Sequence, residues 1–227
     1  TADPGGVAAL ADLLAKAENP VIIAEDAGRT VKASEHLTAI AKLLGCPVSE
    51  SRATGSINIP RNHPLHAGYN PAGAAKDADV IFLASSVAPW HPQTETPSPN
   101  ATVAVLDEDP HRIEIPFLGI QADLILAGEI ESSLEHLLAA LRERVKGDDP
   151  ARAKRTIDLK TANDARRQKW KEEAKALSDE NPMDTKWVAY ELAQVLPDDA
   201  MVVEELITHR LAAHIYLDKL KPGSWFN

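Results

Sequence analysis

Short, almost wholly apolar runs, each bounded by turn-forming residues and separated by helix-patterned stretches, constrain this chain more than any other feature. Val21-Ile22-Ile23-Ala24 is entered through Asn19-Pro20 and left through Glu25-Asp26-Ala27-Gly28; Val80-Ile81-Phe82-Leu83-Ala84 and residues 102–106 and 124–127 are similar. A strand with one wet face alternates apolar and polar residues, whereas one that is apolar throughout is covered on both faces. Between the runs lie helix patterns. Residues 5–17 space Val7, Leu10, Leu14 and Ala17 at three and four, and residues 31–44 do the same with Val31, Leu37, Ile40, Ala41 and Leu44. Gly45 suits a left-handed helix cap, and Pro47-Val48-Ser49 opens a second strand. After the irregular stretch 52–70, rich in Gly, Pro and Asn, a short helix is expected near 71–77, a proline-rich loop at 88–99 and a helix at 130–145. Parallel neighbours need a crossover, and each crossover here is helical, so the expected fold class is α/β: a Rossmann-like parallel sheet with helices on both faces.

Charge marks the boundaries. The chain has 227 residues and a net charge of −10, yet the segment 142–175 carries 12 basic and 7 acidic residues. Its mixed-sign pattern reads as a solvated helical connector. Three parts follow: residues 1–145 as the sheet domain, 146–182 as a helical linker, and 183–227 as an incomplete second α/β unit. In that unit Asp184 caps a helix over 185–196, Met201-Val202-Val203 forms a buried strand, and 206–219 forms a helix. The strand at 201–203 has no second strand to join within the sequence, which points to a piece of a longer protein.

The acidic balance repels phosphate backbones and anionic lipid surfaces, so neither nucleic acid nor membrane is an expected partner. No apolar run approaches the ~20 residues that a membrane-crossing helix needs. One cysteine, Cys46, allows no internal disulfide and no cysteine-built metal site, and cytoplasm is the default location.

The candidate chemistry is sparse. The first strand–helix turn, Ala24-Glu25-Asp26-Ala27-Gly28-Arg29, sits where a doubly wound sheet holds a phosphate, but it has one glycine and two carboxylates instead of G-x-G-x-x-G. Arg29 either neutralises a phosphate or pairs with a carboxylate. Asp107-Glu108-Asp109 follows a strand and either meets a ribose hydroxyl or, with Pro110, starts a short helix. His63-Pro64-Leu65-His66 lies among prolines that forbid a chelating helix, and no third ligand is nearby. His209 and His214, five apart, lie on different sides of the expected helix, and Glu205 can pair with His209. No nucleophile motif occurs, and Cys46 is expected to be a buried, inert thiol.

Several motifs, in order along the chain, resemble the family of thiamine-diphosphate enzymes typified by acetolactate synthase and benzoylformate decarboxylase. Ala17-Glu18-Asn19-Pro20-Val21-Ile22-Ile23-Ala24 with Gly28 is similar to the start of that family's central domain, and Leu44-Gly45-Cys46-Pro47-Val48 to its second strand. His63-Pro64-Leu65-His66-Ala67-Gly68-Tyr69 resembles its "HPL…G" loop, and Ala78-Asp79-Val80-Ile81-Phe82-Leu83 its third strand. Val87-Ala88-Pro89-Trp90-His91-Pro92 resembles a V-x-P-W-x-P loop of the acetolactate-synthase-like branch, and Leu106-Asp107-Glu108-Asp109-Pro110 a D-x-D-P turn. Val202-Val203-Glu204-Glu205 followed by Pro222-Gly223-Ser224-Trp225-Phe226 resembles the opening of the diphosphate-binding domain.

The resemblance implies a 2-keto acid decarboxylase or carboligase that uses thiamine diphosphate and Mg²⁺ when intact, works as a homodimer or homotetramer, and needs the remaining catalytic domains of its own chain. By position, Ile207, Thr208 and His209 lie beside the cofactor diphosphate, with Thr208 as a phosphate donor or as a helix cap. The G-D-G…N cation signature and the pyrimidine-binding domain are absent from these residues, so the expectation is an inactive scaffold with no tightly bound cofactor, no catalytic residue and no metal ligand. FAD, which some relatives carry in the central domain, is disfavoured by the missing glycine-rich turn. The alternative is a non-catalytic module that holds FAD, ADP or NAD.

Overall fold

The computed structural model describes residues 1–51, 54–91, 95, 97–111 and 120–227. Helix α1 (Pro4–Lys16) is capped by Asp3, whose carboxylate accepts from Gly6 N; strand β1 (Pro20–Ala24) is buried at every position. Helix α2 (Val31–Leu44) starts at Thr30, whose hydroxyl accepts from Ala33 N, and ends on left-handed Gly45. Strand β2 (Val48–Glu50), helix α3 (Pro71–Ala75) and strands β3 (Val80–Ala84), β4 (Thr102–Asp107) and β5 (Leu124–Ala127) follow. Helix α4 (Ile130–Arg144) closes the domain.

The five strands form one parallel sheet in the order β2-β1-β3-β4-β5, in the register Ile22↔Phe82 and Phe82↔Ala104. Strand geometry sorts the apolar side chains to two faces. Ile22, Ala24, Phe82, Ala84, Ala104, Leu106 and Leu126 face α1, α2 and α4 in the main core. Val21, Ile23, Ile81, Leu83, Val103 and Val105 face α3 and Trp90 in a smaller one. Helices cover both faces, and the second is covered more thinly: Ile125, on the edge strand, stays 43% exposed.

The segment expected as a linker contains one long helix, α5 (Pro150–Ala176), followed by α6 (Thr185–Val195), β6 (Val202–Val203), α7 (Arg210–Tyr216) and β7 (Trp225–Phe226). Three expectations are corrected here. The strand at 202–203 does find a partner, β6 pairing in parallel with β7, but it is not buried: Met201 is 69% and Val203 81% exposed. The turn through left-handed Gly223 brings β7 alongside, and Trp225 buries against Ile57, Ala213, Leu217 and Leu220. The helix expected over 206–219 is only Arg210–Tyr216, because Glu204 accepts from Leu206 N at 2.7 Å and pairs with Arg210 at 2.8 Å, which holds the intervening residues in a loop. Consequently Glu205 and His209 share no helical turn.

The third correction concerns the connector. Its lysines stay in exposed i,i+4 pairs with Asp158, Asp164 and Glu173. Three arginines instead clamp the sheet domain: Arg155 donates to Glu18 O, Leu44 O and Gly45 O, Arg166 to His66 O, and Arg167 to Arg61 O; Arg167 also pairs with Asp218, beyond α7. A guanidinium presents several donors in a fixed fork, which suits it to gathering carbonyls at the end of α2. No helix among the described residues is long and apolar enough to cross a membrane.

Candidate functional site

In a sheet of order β2-β1-β3-β4-β5 the crossover direction reverses between β1 and β3, and ligands of such sheets bind outside the C-terminal ends of those strands. Glu25 stands there. Its Oε2 accepts from Val87 N at 3.0 Å, Ala88 N at 3.4 Å and Ser86 Oγ at 3.4 Å. Burial, and the charge of Asp26 beside it, push its carboxyl above the usual carboxylate range despite those three donors.

Gly28 faces a different neighbour. A Cβ at this position would lie 2.2 Å from Ile57 O and 2.5 Å from Asn58 Cα, so glycine is required by close packing of the 54–58 loop. Gly28 N donates to Asn58 Oδ1 at 2.9 Å, and Asn58 Nδ2 donates to Glu25 O and Glu50 Oε1 at 3.0 Å each. Thr54 Oγ1 also donates to Glu25 O. The turn that would cradle a dinucleotide is thus filled by the protein itself. The cavity beside it, walled by Ser86, Val87, Asp107 and His111, holds about 110 Å³, well under the roughly 300 Å³ of a small-molecule pocket. Larger clefts of about 550 and 590 Å³ flank α5, away from the strand ends.

The same loop carries a buried polar cluster that sequence patterning does not reveal. Burial alone would raise the Glu50 carboxyl, but His66 at 3.2 Å, the Arg61 charge and Asn58 outweigh it and hold the group at about 2. Arg61, 2% exposed, lies with its guanidinium 4.1 Å from the centre of the Trp225 ring and its Nη2 3.2 Å from His214 Nδ1. His214 packs on Tyr69 and Trp225 and its main-chain oxygen accepts from Tyr69 Oη at 2.9 Å. Burial, and then Arg61, push its pKa down to about 3. This cluster joins the sheet domain to the last unit. The one sequence signal for it was the density of His, Arg, Asn and Tyr within the irregular segment 52–70.

The other expected residues sort as follows. Ile207 is 94% exposed, and Thr208 and His209 are exposed beside it on the loop after β6. His209, not Thr208, takes the N-cap position of α7, without a side-chain cap bond, and its Nδ1 lies 3.2 Å from Thr185 Oγ1. Arg29 pairs with Glu108 at 3.5 Å, both about half exposed. Asp107 accepts from Asp109 N at 2.9 Å, and a helix begun by Asp109-Pro110 would fall on 112–119, outside the described residues, as does Pro92 of the V-x-P-W-x-P segment. His63 accepts from Leu65 N while His66 turns to Glu50, so the two do not converge. Among the described residues no group of three His, Cys, Asp or Glu side chains could hold a metal ion. Cys46 is buried, and burial pushes its thiol up to about 12.

Comparison with known proteins places this geometry. Residues 7–137 match the family model described as thiamine pyrophosphate enzyme, central domain. A sulfoacetaldehyde acetyltransferase from Castellaniella defragrans is 27% identical over 98% of this chain and 41% of its own length. Two solved structures superpose on nearly the whole chain: benzoylformate decarboxylase from Polynucleobacter necessarius (TM-score 0.70, 15% identity, 99% of this chain and 40% of that one) and a thiamine diphosphate-dependent 4-hydroxybenzoylformate decarboxylase from Rhodococcus jostii RHA1 (0.67, 18%, 98% and 40%). This chain spans about two-fifths of the length of these relatives. With a five-stranded parallel sheet in the matched region, the chain belongs to the thiamine pyrophosphate enzyme family, of which it carries the central domain.

Proposed function

We propose that the protein containing this chain decarboxylates a 2-keto acid with thiamine diphosphate and Mg²⁺, releases the product as an aldehyde or joins it to a second carbonyl, and uses residues 1–145 as a scaffold. The decarboxylase and acetyltransferase names of the relatives support chemistry of this kind. The observation that carries the scaffold role is Glu25 seated on the Val87 and Ala88 amides, with Gly28 packed on Ile57: the turn where such a sheet would take a nucleotide phosphate has no room for one. It weighs equally against a nucleotide-binding module and against FAD at that turn.

The residues present do not make a thiamine diphosphate site by themselves. Ile207, Thr208 and His209 lie open on a loop, and the described residues offer no cation cluster. In the intact protein that loop would meet the diphosphate only together with surface from other domains. The apolar surface around it fits such cover: Val203 is 81% exposed, and Met201, Leu206 and Phe226 are exposed as well. Further copies of the chain, as a dimer or tetramer, and a cytoplasmic setting complete the reading. The test is CO₂ release from a panel of 2-keto acids with thiamine diphosphate and Mg²⁺. The full-length gene product is expected to turn over and the 227-residue chain to be silent; a full-length protein that binds no thiamine diphosphate overturns the proposal.

A further inference from the structure

At the switch point of the sheet, three donors converge on a single oxygen. Val87 N, Ala88 N and Ser86 Oγ all point at Glu25 Oε2, at 3.0, 3.4 and 3.4 Å. Successive main-chain N–H groups arranged this way form a concavity that binds anions, and in doubly wound folds the anion comes from solvent. Here it comes from the turn after β1.

The donor turn is anchored at its first residue by bonds that do not involve the Glu25 side chain. Ser85 sits at φ 45°, a left-handed conformation uncommon for a residue with a Cβ. Its N–H donates to Leu106 O at 2.9 Å, and its carbonyl accepts from Asp26 N at 3.0 Å. Both main-chain groups of Ser85 are therefore tied to neighbouring strand ends, which anchors the start of the donor turn without the Glu25 side chain. Ser86 and Val87 also wall the small cavity beside the turn, so there is space next to the donors. A buried carboxylate is costly unless donors compensate it, and burial does raise the Glu25 carboxyl, so the side chain is held against its own desolvation.

We propose that residues 85–88 form a preshaped cradle for a tetrahedral oxyanion of the sulfate or phosphate class, and that Glu25 occupies it as a built-in ligand. Self-occupancy, not the absence of a cradle, keeps this domain free of phosphate ligands. The inference deepens the scaffold reading, which rests on the same Glu25 contacts, and its failure leaves the proposed decarboxylation untouched.

The test titrates the 227-residue chain with sodium sulfate, against sodium chloride at equal ionic strength, and follows the Val87 and Ala88 amide resonances. Wild type is expected to show no sulfate-specific shift. Glu25→Ala removes an intramolecular competitor and is expected to bind sulfate tighter than wild type by on the order of tenfold or more. Glu25→Gln keeps the volume without the charge and is expected to fall between them. Should Glu25→Ala lose its fold, Glu25→Gln decides. Amides that respond alike to sulfate and chloride in the variants, or a wild type that binds sulfate as well as they do, overturn the proposal.

Discussion

Acidification from pH 7 to 4.5 is expected to weaken this chain through two histidines whose pKa burial lowers, His63 and His214, of which His214 is the more deeply buried. The ring is 1% exposed, lies between Tyr69 and Trp225 with centroids 5.4 and 4.8 Å away, and offers Nδ1 to Arg61. Accepting from Arg61 requires a neutral imidazole whose proton is on Nε2, a buried atom with no partner. Burial first, and the Arg61 charge second, hold the folded pKa at about 3 against 6.5 for a free histidine. The folded value is the lower one, so the unfolded chain binds the proton first. Stability from this group is intact above about 6.5 and falls as the pH drops toward 3. The slope is about 1.4 kcal/mol per pH unit, so the two units between 6.5 and 4.5 cost about 2.7 kcal/mol. The assay is urea unfolding of wild type and His214→Phe at both pH values. His63, which burial also depresses, and Glu25 titrate in both proteins and cancel in the difference. The variant should lose about 2–3 kcal/mol less than wild type on acidification. Equal losses would mean that His214 is already charged or solvated in the folded chain, and would refute the reasoning.

Other substitutions separate structural roles from functional ones. Gly28→Ala forces a Cβ onto the Ile57 and Asn58 main chain and breaks the Asn58 contact, so thermal unfolding should report a loss of about 3 kcal/mol; a loss under about 0.5 would show that the close approach is not needed. Arg155→Met strips three carbonyls of their donor and should cost about 2 kcal/mol, whereas Lys160→Met, in an exposed pair with Asp164, should cost under about 0.5. Cys46 should react with a disulfide reagent only at the rate of unfolding, since its thiol is buried and pushed up to about 12; prompt labelling of the folded chain would contradict this.

The central strands are legible because burial on both faces leaves a local mark: Pro20–Ala24, Val80–Ala84 and Thr102–Asp107 are all visible as apolar runs, whereas Leu124–Ala127 is equally apolar but lies on the exposed edge; the caps at Gly45 and Asp184 follow from backbone rules. What stayed hidden is held together over long sequence separations. Arg61 meets His214 across 153 residues, and Arg155 meets Leu44 across 111, so neither pattern nor spacing betrays them. The helix around 206–219 looked longer because its apolar periodicity runs on through Leu206 and Ile207, while the two bonds made by Glu204, which end it early, depend on tertiary position. At the first turn, a single glycine and two carboxylates argue against a phosphate site; that Glu25 itself takes the donors depends on the tertiary placement of residues 86–88.

The most direct test of the scaffold reading is calorimetric titration of the wild-type 227-residue chain with thiamine diphosphate plus Mg²⁺, and separately with FAD and ADP. Glu25 on its amides and the open loop at Ile207–His209 predict no saturable heat in any of the three. Binding at micromolar strength would contradict the account, by thiamine diphosphate for the loop and by FAD or ADP for the turn.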